Sequence, residues 1–265
     1  MTHSASRSKG FKTINPNTTP RALVSQSSEL STAWKAAVIS LFPEAFPGLL
    51  DLSLSGRARN DGLWQLKVHN LRNYGLGKHR KVDDTPAGGG AGMIIRPDVM
   101  GHAIEAVIAE TSHQWSRIYL SPRGHPINQP FIEELARADG VILICGRYEG
   151  LDERTITHYG LEERSLGDFV LSGGELAAQA LIDATVRLLP GVIGNYESTK
   201  NESFSNDLLE HPHYTRPTEW KGYRIPPILT SGNHQEVTKW RIKKSKIITR
   251  ARRPDLWTKY VKSRR

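Results

Sequence analysis

The chain has 265 residues, of which 38 % are hydrophobic, and carries 36 Lys or Arg against 27 Asp or Glu, a net charge of +9. That length can bury a sizeable core and leaves room for two domains; no apolar run reaches membrane-spanning length, and no apolar segment before Trp34 has the form of a secretion signal. The single cysteine, Cys145, excludes a disulfide framework within the chain and makes a reducing cytoplasm the expected location.

Residues 1–33 are rich in Ser, Thr and Asn, include Pro16 and Pro20, and predict a disordered leader. Residues 34–42, W-K-A-A-V-I-S-L-F, predict a buried strand, and residues 43–60 one or two short helices. Residues 63–69 alternate with period two and predict a second strand. From 71 to 92 the chain is Gly-rich and basic without periodicity, as functional or mobile loops are. Within it the adjacent acids Asp83 and Asp84 are the candidate Mg2+ attractors. Pro97 opens a helix over 98–110. Strands follow at 117–120 and 141–145, with a helix over 131–137 between them, and Cys145 reads as a buried strand residue. This alternation predicts an α/β domain with a mostly parallel sheet.

Next comes S-L-G-D-F-V-L-S-G-G-E at 165–175, where Gly167, Gly173 and Gly174 flank a short apolar run. It predicts a tight apolar loop feeding the N-terminus of a helix over 176–189, stopped by Pro190-Gly191. The simplest alternative is a plain turn between strand and helix. L-S-G-G-E also occurs in transport ATPases, but those need a phosphate loop G-x-x-x-x-G-K-[ST], which this sequence lacks.

Residues 195–205 are polar and predict a linker, and 211–227, with four prolines, irregular turns. A basic helix is predicted over 236–253, ended by Pro254. Residues 239–265 hold 12 Lys or Arg and one acid, Asp255, whereas the rest of the chain is nearly neutral. One basic end on a neutral body suggests a polyanionic partner, most simply nucleic acid, against the alternative of a solubilising tail. His211 and His213 have no Cys or acid at typical ligand spacing, so no metal site is predicted there.

V-I-L-I-C-G-R-Y-E-G-L-D-E-R at 141–154, together with G-D-F-V-L-S-G-G-E, resembles the bacterial tRNA (guanine-N1)-methyltransferases, the TrmD family of the SPOUT class. So do I-S-L-F-P-E-A-F at 39–46, V-D-D-T-P-A-G-G-G-A-G-M at 82–93, Y-L-S-P-R-G at 119–124, H-P-H-Y-T-R-P at 211–217 and L-T-S-G-N-H at 229–234. They stand in family order over about residues 34–255. The resemblance implies a knotted parallel-sheet methyltransferase domain (34–194), an interdomain linker (195–206) and a small, mostly helical, basic tRNA-binding domain (207–265). It implies a homodimer whose active site joins the cofactor pocket of one subunit to the C-terminal domain of the other. It also implies the reaction: methyl transfer from S-adenosyl-L-methionine to N1 of guanosine 37 of tRNA, just 3′ of the anticodon.

In the family three segments hold the cofactor. The resemblance places it against Tyr119, Leu120, Ser121, Pro122 and Gly124; then Gly146, Tyr148 and Glu149; then Ser165, Leu166, Gly167, Asp168, Phe169, Val170, Leu171, Gly173 and Gly174. The side chains suit that role. Leu166, Phe169 and Leu171 offer an apolar slot for adenine, the glycines allow backbone to come close, and Glu149 suits a cationic sulfonium. Guanine N1 is a poor nucleophile until its proton leaves, and the charge that develops on O6 needs a cationic donor. The family's arginine and acid for this work match Arg187 and Glu202. The family acid is aspartate; glutamate keeps the carboxylate but adds a methylene, which changes reach and angle. Two rival readings are a knotted relative acting on another atom and an RNA-binding relative without catalysis.

Overall fold

A strand that is apolar on both faces must be covered on both, and residues 141–145 have that composition. The computed structural model describes residues 33–194 and 202–264. There this run is β6 (Gly140–Cys145), buried at every residue. Its parallel neighbours are β1 (Trp34–Ser40) and β5 (Ser116–Pro126), with β2 (Trp64–Asn70) beyond β1 and β7 (Glu162–Ser165) beyond β5.

Side-chain alternation divides the core in two. Val38, Ile118, Leu143 and Cys145 face a cluster completed by Phe131, Leu135 and Leu181. These come from α3 (Gln129–Arg137) and α5 (Glu175–Val186), and α1 (Ser53–Asn60) adds Ala58. Ile39, Tyr119, Ile142 and Ile144 face the other cluster, with Val99 and Ile104 of α2 (Pro97–Glu110) and Ile156 of α4 (Glu153–Tyr159). Neither cluster includes a residue beyond Val192.

Three segments differ from the sequence expectation. Helix α4 and strand β7 carry no readable period: α4 is seven residues long, and β7 is the polar edge sequence E-E-R-S. Helix α4 forms because the Asp152 side chain accepts from the Arg154 N–H at 2.9 Å and Gly160 ends it at φ +56°. Strand β5 does not stop at 120. Leu120 and His125 both pair with Arg164, so residues 121–124 bulge out between them. At Gly124 a Cβ would lie 2.3 Å from the Arg164 nitrogen, so only glycine lets the strand return.

The proline-rich stretch is not wholly irregular. It contains the hairpin β8 (Glu219–Trp220) and β9 (Tyr223–Arg224), turned by Lys221 and Gly222 at φ +53° and +82°. Pro254 ends α6 (His234–Arg252) and also opens α7 (Pro254–Lys262), where its missing N–H costs nothing. The predicted leader lies outside the described residues apart from Ala33, which is buried; of the predicted linker, 195–201 lie outside them.

Candidate active site

Ligands of open parallel sheets bind beyond the carboxyl ends of the strands. At the ends of β5, β6 and β7 this protein has a cavity of about 780 Å³. The 165–174 loop forms one wall. Ser165 starts it as a turn, accepting from the Gly167 N–H at 3.3 Å and donating to the Gly167 carbonyl at 3.0 Å. The loop closes where the Gly174 N–H donates to the Gly146 carbonyl at 3.0 Å. Ser165, Leu166, Phe169, Val170, Leu171, Gly173 and Gly174 line this side. Tyr119, Leu120, Ser121 and Pro122 come from β5 and its bulge, and Gly146, Tyr148 and Glu149 from the turn after β6. Ala87 of the long basic loop and Ile94 just beyond it complete the lining. Gly124, Gly167 and Asp168 of the sequence-predicted set do not line the cavity; Gly167 packs under the Phe169 ring, and Asp168 is exposed.

The glycines also have protein close against them. A Cβ on Gly146 would meet the Tyr119 ring at 2.8 Å, one on Gly174 the Cys145 backbone at 2.8 Å, and one on Gly173 the Arg147 guanidinium at 2.2 Å. A side chain at any of the three would collide with protein. Tyr148, by contrast, holds φ +57° without being glycine, a conformation that costs on the order of 1 kcal/mol and tends to cluster at ligand sites.

Beneath the loop lies a charged group that the sequence did not point to. Glu175, 4 % exposed, accepts from the Ser40 hydroxyl at 2.7 Å and lies 3.0 Å from Arg147. That approach is too poorly aligned for a hydrogen bond, since Glu175 Oε2 and Arg147 Nε have no hydrogen-bond partner among the described residues. Arg147 also donates to the Ser172 carbonyl at 3.2 Å and sits over the Phe42 ring at 4.3 Å. The network therefore ties the ends of β1 and β6 to the 165–174 loop and α5. The signal in the sequence was the acid directly after Gly173-Gly174, a placement suited to a helix N-terminus and read only as such.

The other cations at the cavity are neutralised: Arg123 by Glu153 and Glu163, Arg154 by Asp152, Arg164 by Glu162. Glu149 has no ion-pair partner among the described residues, leaving its carboxylate for a cationic ligand. The cavity volume, its apolar wall and this carboxylate fit a sulfonium-bearing nucleoside. Burial pushes the Tyr119 hydroxyl up and the Cys145 thiol well up, so both stay neutral at ordinary pH. Of the expected Mg2+ attractors, Asp84 is engaged, pairing with Lys81 and Arg96 at 2.9 Å each, and Asp83 lies in the short strand β3 (Asp83–Asp84) beside β4 (Ile94–Ile95). Among the described residues no group of three or more His, Cys, Asp or Glu could hold a metal.

Arg187 and Glu202 lie elsewhere. Arg187 is not on the helix but caps the C-terminus of α5, where the helix dipole favours a cation. Its Nη1 and Nη2 donate to the two carboxylate oxygens of Glu202 at 2.8 and 2.9 Å. This hydrogen bonding holds the Glu202 carboxyl below the usual range, and Glu202 holds Arg187 above its own. The pair lines a second cavity of about 1040 Å³ with Glu133, Arg137, Ser203 and Asn206, and no residue lines both cavities. Asp207, the next acid, does not line it. Glu202 begins a constrained turn: Phe204 and Asp207 have φ +78° and +56°, and the Leu209 N–H donates to the buried Thr249 hydroxyl at 2.8 Å.

Replacing Gly173 by Val puts a branched side chain onto Arg147 and Glu175. We expect cofactor affinity to fall at least about tenfold, ~1.4 kcal/mol, while α6 and α7 stay folded. Calorimetric titration of wild type and variant measures this; equal affinities would place the cofactor elsewhere.

The family model described as "tRNA (Guanine-1)-methyltransferase TrmD" matches residues 34–259. A protein of Ruegeria pomeroyi named tRNA (guanine-N(1)-)-methyltransferase is 63 % identical over 232 residues, covering 88 % of this chain and 96 % of its own. A protein of the same name from Roseobacter denitrificans is 60 % identical over 229 residues, 86 % of this chain and 95 % of its own. One from Brucella ovis is 53 % identical over 230 residues, 87 % and 94 % of the two chains.

Proposed function

The chain belongs to the TrmD family of tRNA (guanine-1)-methyltransferases, and from that premise we propose that it methylates N1 of guanosine 37 of tRNA, 3′ of the anticodon, with S-adenosyl-L-methionine as donor. The bound donor would supply an electrophilic methyl group on a cationic sulfur. Leu166, Phe169 and Leu171 would enclose its adenine, and Glu149 would face its positive charge. The Arg187–Glu202 fork matches the edge of guanine: an Arg187 N–H donates to O6 while the Glu202 carboxylate takes the N1 proton. In the absence of RNA the two groups satisfy each other. Guanine has to replace one hydrogen bond of the pair, and the carboxylate then gains basicity as Arg187 turns to O6.

The observation that carries the arrangement is the separation of the two cavities. In one chain the base and the donor pocket share no lining residue, which supports a site completed by a second copy. We therefore read the protein as a homodimer, each site joining one subunit's cofactor pocket to its partner's linker. Exposed apolar side chains on the C-terminal segment, Trp220, Tyr223, Ile242 and Ile247, are consistent with a covered surface there. We divide the chain into a methyltransferase domain (34–194), a linker (195–206) and a basic C-terminal domain (207–265), supported by core clusters that end at Val192. The trefoil knot of the family is part of the same reading, and the contact of Gly174 with Gly146 between two loops at one sheet end suits it.

Unmodified tRNA and radiolabelled donor test the reaction, with the label expected as 1-methylguanosine at position 37. Label on ribose would support a knotted relative with another target; tight tRNA binding without transfer would support a non-catalytic one. The shared site has its own test. Gly173→Val and Glu202→Gln proteins, assayed at a donor concentration too low to fill the Gly173→Val pocket, should recover roughly a quarter of wild-type activity when refolded together, since half of random dimers are mixed and each holds one intact site. No recovery would confine each site to one chain.

A further inference from the structure

The long basic loop contains a built turn that the proposed reaction does not use. Leu76 and Lys81 exchange both backbone hydrogen bonds at 2.9 Å, and the Arg80 N–H donates to the Gly77 carbonyl at 3.1 Å. Gly75 lets the arms close, since a Cβ there would lie 2.3 Å from the Arg80 carbonyl oxygen, and Gly77 turns at φ +66°. Arg80 itself is held at φ +49°, a left-handed conformation that is costly for a side chain of its kind. A strained cation at an exposed turn is a feature that requires an explanation.

The pattern of ion pairs singles the turn out. Arg72, Lys78 and Arg80 are all exposed, and among the described residues none has a carboxylate partner. Among those residues the one side-chain hydrogen bond of Arg80 is long, 3.4 Å to the amide of Asn73. The neighbouring cations differ: Lys81 and Arg96 are paired with Asp84, and Arg123, Arg154 and Arg164 with acids of their own. The turn is anchored to the cofactor cavity. The Arg96 N–H donates to the Val82 carbonyl at 2.9 Å, β3 pairs with β4, and Ile94 of β4 lines the cavity. A fixed turn carrying Lys78 and Arg80, with Arg72 just before it, all without a carboxylate partner among the described residues and continuous with the wall of the cavity, matches a chain of phosphates.

We propose that this turn is a phosphate-contacting surface that holds the sugar–phosphate backbone of the tRNA through Arg72, Lys78 and Arg80, in addition to the basic C-terminal segment. The inference rests on the reading of the chain as a tRNA methyltransferase. A turn fixed before binding loses little freedom when RNA arrives, so its contacts add to affinity.

The test is the full-length triple variant Arg72→Gln, Lys78→Gln, Arg80→Gln, with unmodified tRNA binding measured between about 50 and 200 mM KCl. Three lost phosphate contacts reduce the slope of log affinity against log salt by about 2–3. The wild type should therefore lose about thirtyfold more affinity than the variant across that range. The KM for tRNA should rise while kcat at saturating tRNA and the affinity for S-adenosyl-L-methionine stay at wild-type values, which also establishes that the variant is folded. An unchanged salt slope overturns the proposal while leaving the methyltransferase reading intact. Loss of donor affinity or of kcat would mean that the turn shapes the pocket and also overturns it. A wild-type protein that neither binds nor methylates tRNA would sink the functional reading itself, an outcome visible before any variant is made.

Discussion

Arg187→Ala should lower the single-turnover rate of methyl transfer by about two to three orders of magnitude, with tRNA affinity nearly unchanged. The reason is timing. The charge that Arg187 meets on O6 develops only as the N1 proton leaves, and an interaction stronger in the transition state than in the ground state acts on kcat. The variant also frees Glu202, whose carboxyl Arg187 holds below the usual range. Its basicity should rise toward that of an ordinary glutamate, and the rate should still fall if O6 stabilisation dominates. A rate within about threefold of wild type, at saturating tRNA and donor, would remove Arg187 from the chemistry.

Glu202→Gln should cut the rate by about two orders of magnitude or more, because the amide keeps the shape but cannot take the N1 proton. Glu202→Asp separates two accounts of the extra methylene. The bidentate contact at 2.8 and 2.9 Å has a spacing set for glutamate, and the turn behind it is fixed by Phe204, Asp207 and the Leu209–Thr249 hydrogen bond. Aspartate should thus be slower by misplacement. A faster aspartate variant would mean that the linker had not adapted, and a wild-type rate for Glu202→Gln would eliminate Glu202 as base. The pair also has a signature in stability. The Glu202 pKa is depressed, so its contribution is complete above the ordinary glutamate value and is lost as pH falls through the depressed one. The unfolding free energies of wild type and Glu202→Gln, measured against pH, should converge at the low end of that window.

Sequence pattern made the central sheet legible where burial is two-sided: V-I-L-I-C reads as a strand with a buried cysteine, and β6 is one. It could not reveal α4 or β7, since a seven-residue helix with one apolar anchor and a polar edge strand have no period to read. The residues around the cavity were legible by motif, and the glycines among them also serve a packing role that motif does not show. Close approach is a fact of sequence, whereas what approaches is decided by tertiary packing, and here it is Tyr119, Cys145 and Arg147. The Ser40–Glu175–Arg147 network went unnoticed because its members are up to 135 positions apart in the chain. For the same reason motif order could bring Arg187 and Glu202 forward as partners but could not show that they line a different cavity from the donor pocket.

The position of the lone thiol gives the molecule an internal clock. Cys145 is the chain's one cysteine and ends the central strand, fully buried between strands β1 and β5 and under the start of α5. An alkylating reagent can reach it only when the sheet opens or when the 165–174 loop and the start of α5 lift off it, so the labelling rate counts openings of that region and ignores fraying elsewhere. No background thiols need removing, and the unmodified chain serves as its own probe. A ligand that seats against the 165–174 loop and Gly146 presses on the cover of that thiol. The slowing of alkylation by each ligand then measures how firmly it clamps the sheet, in the same units for donor and RNA.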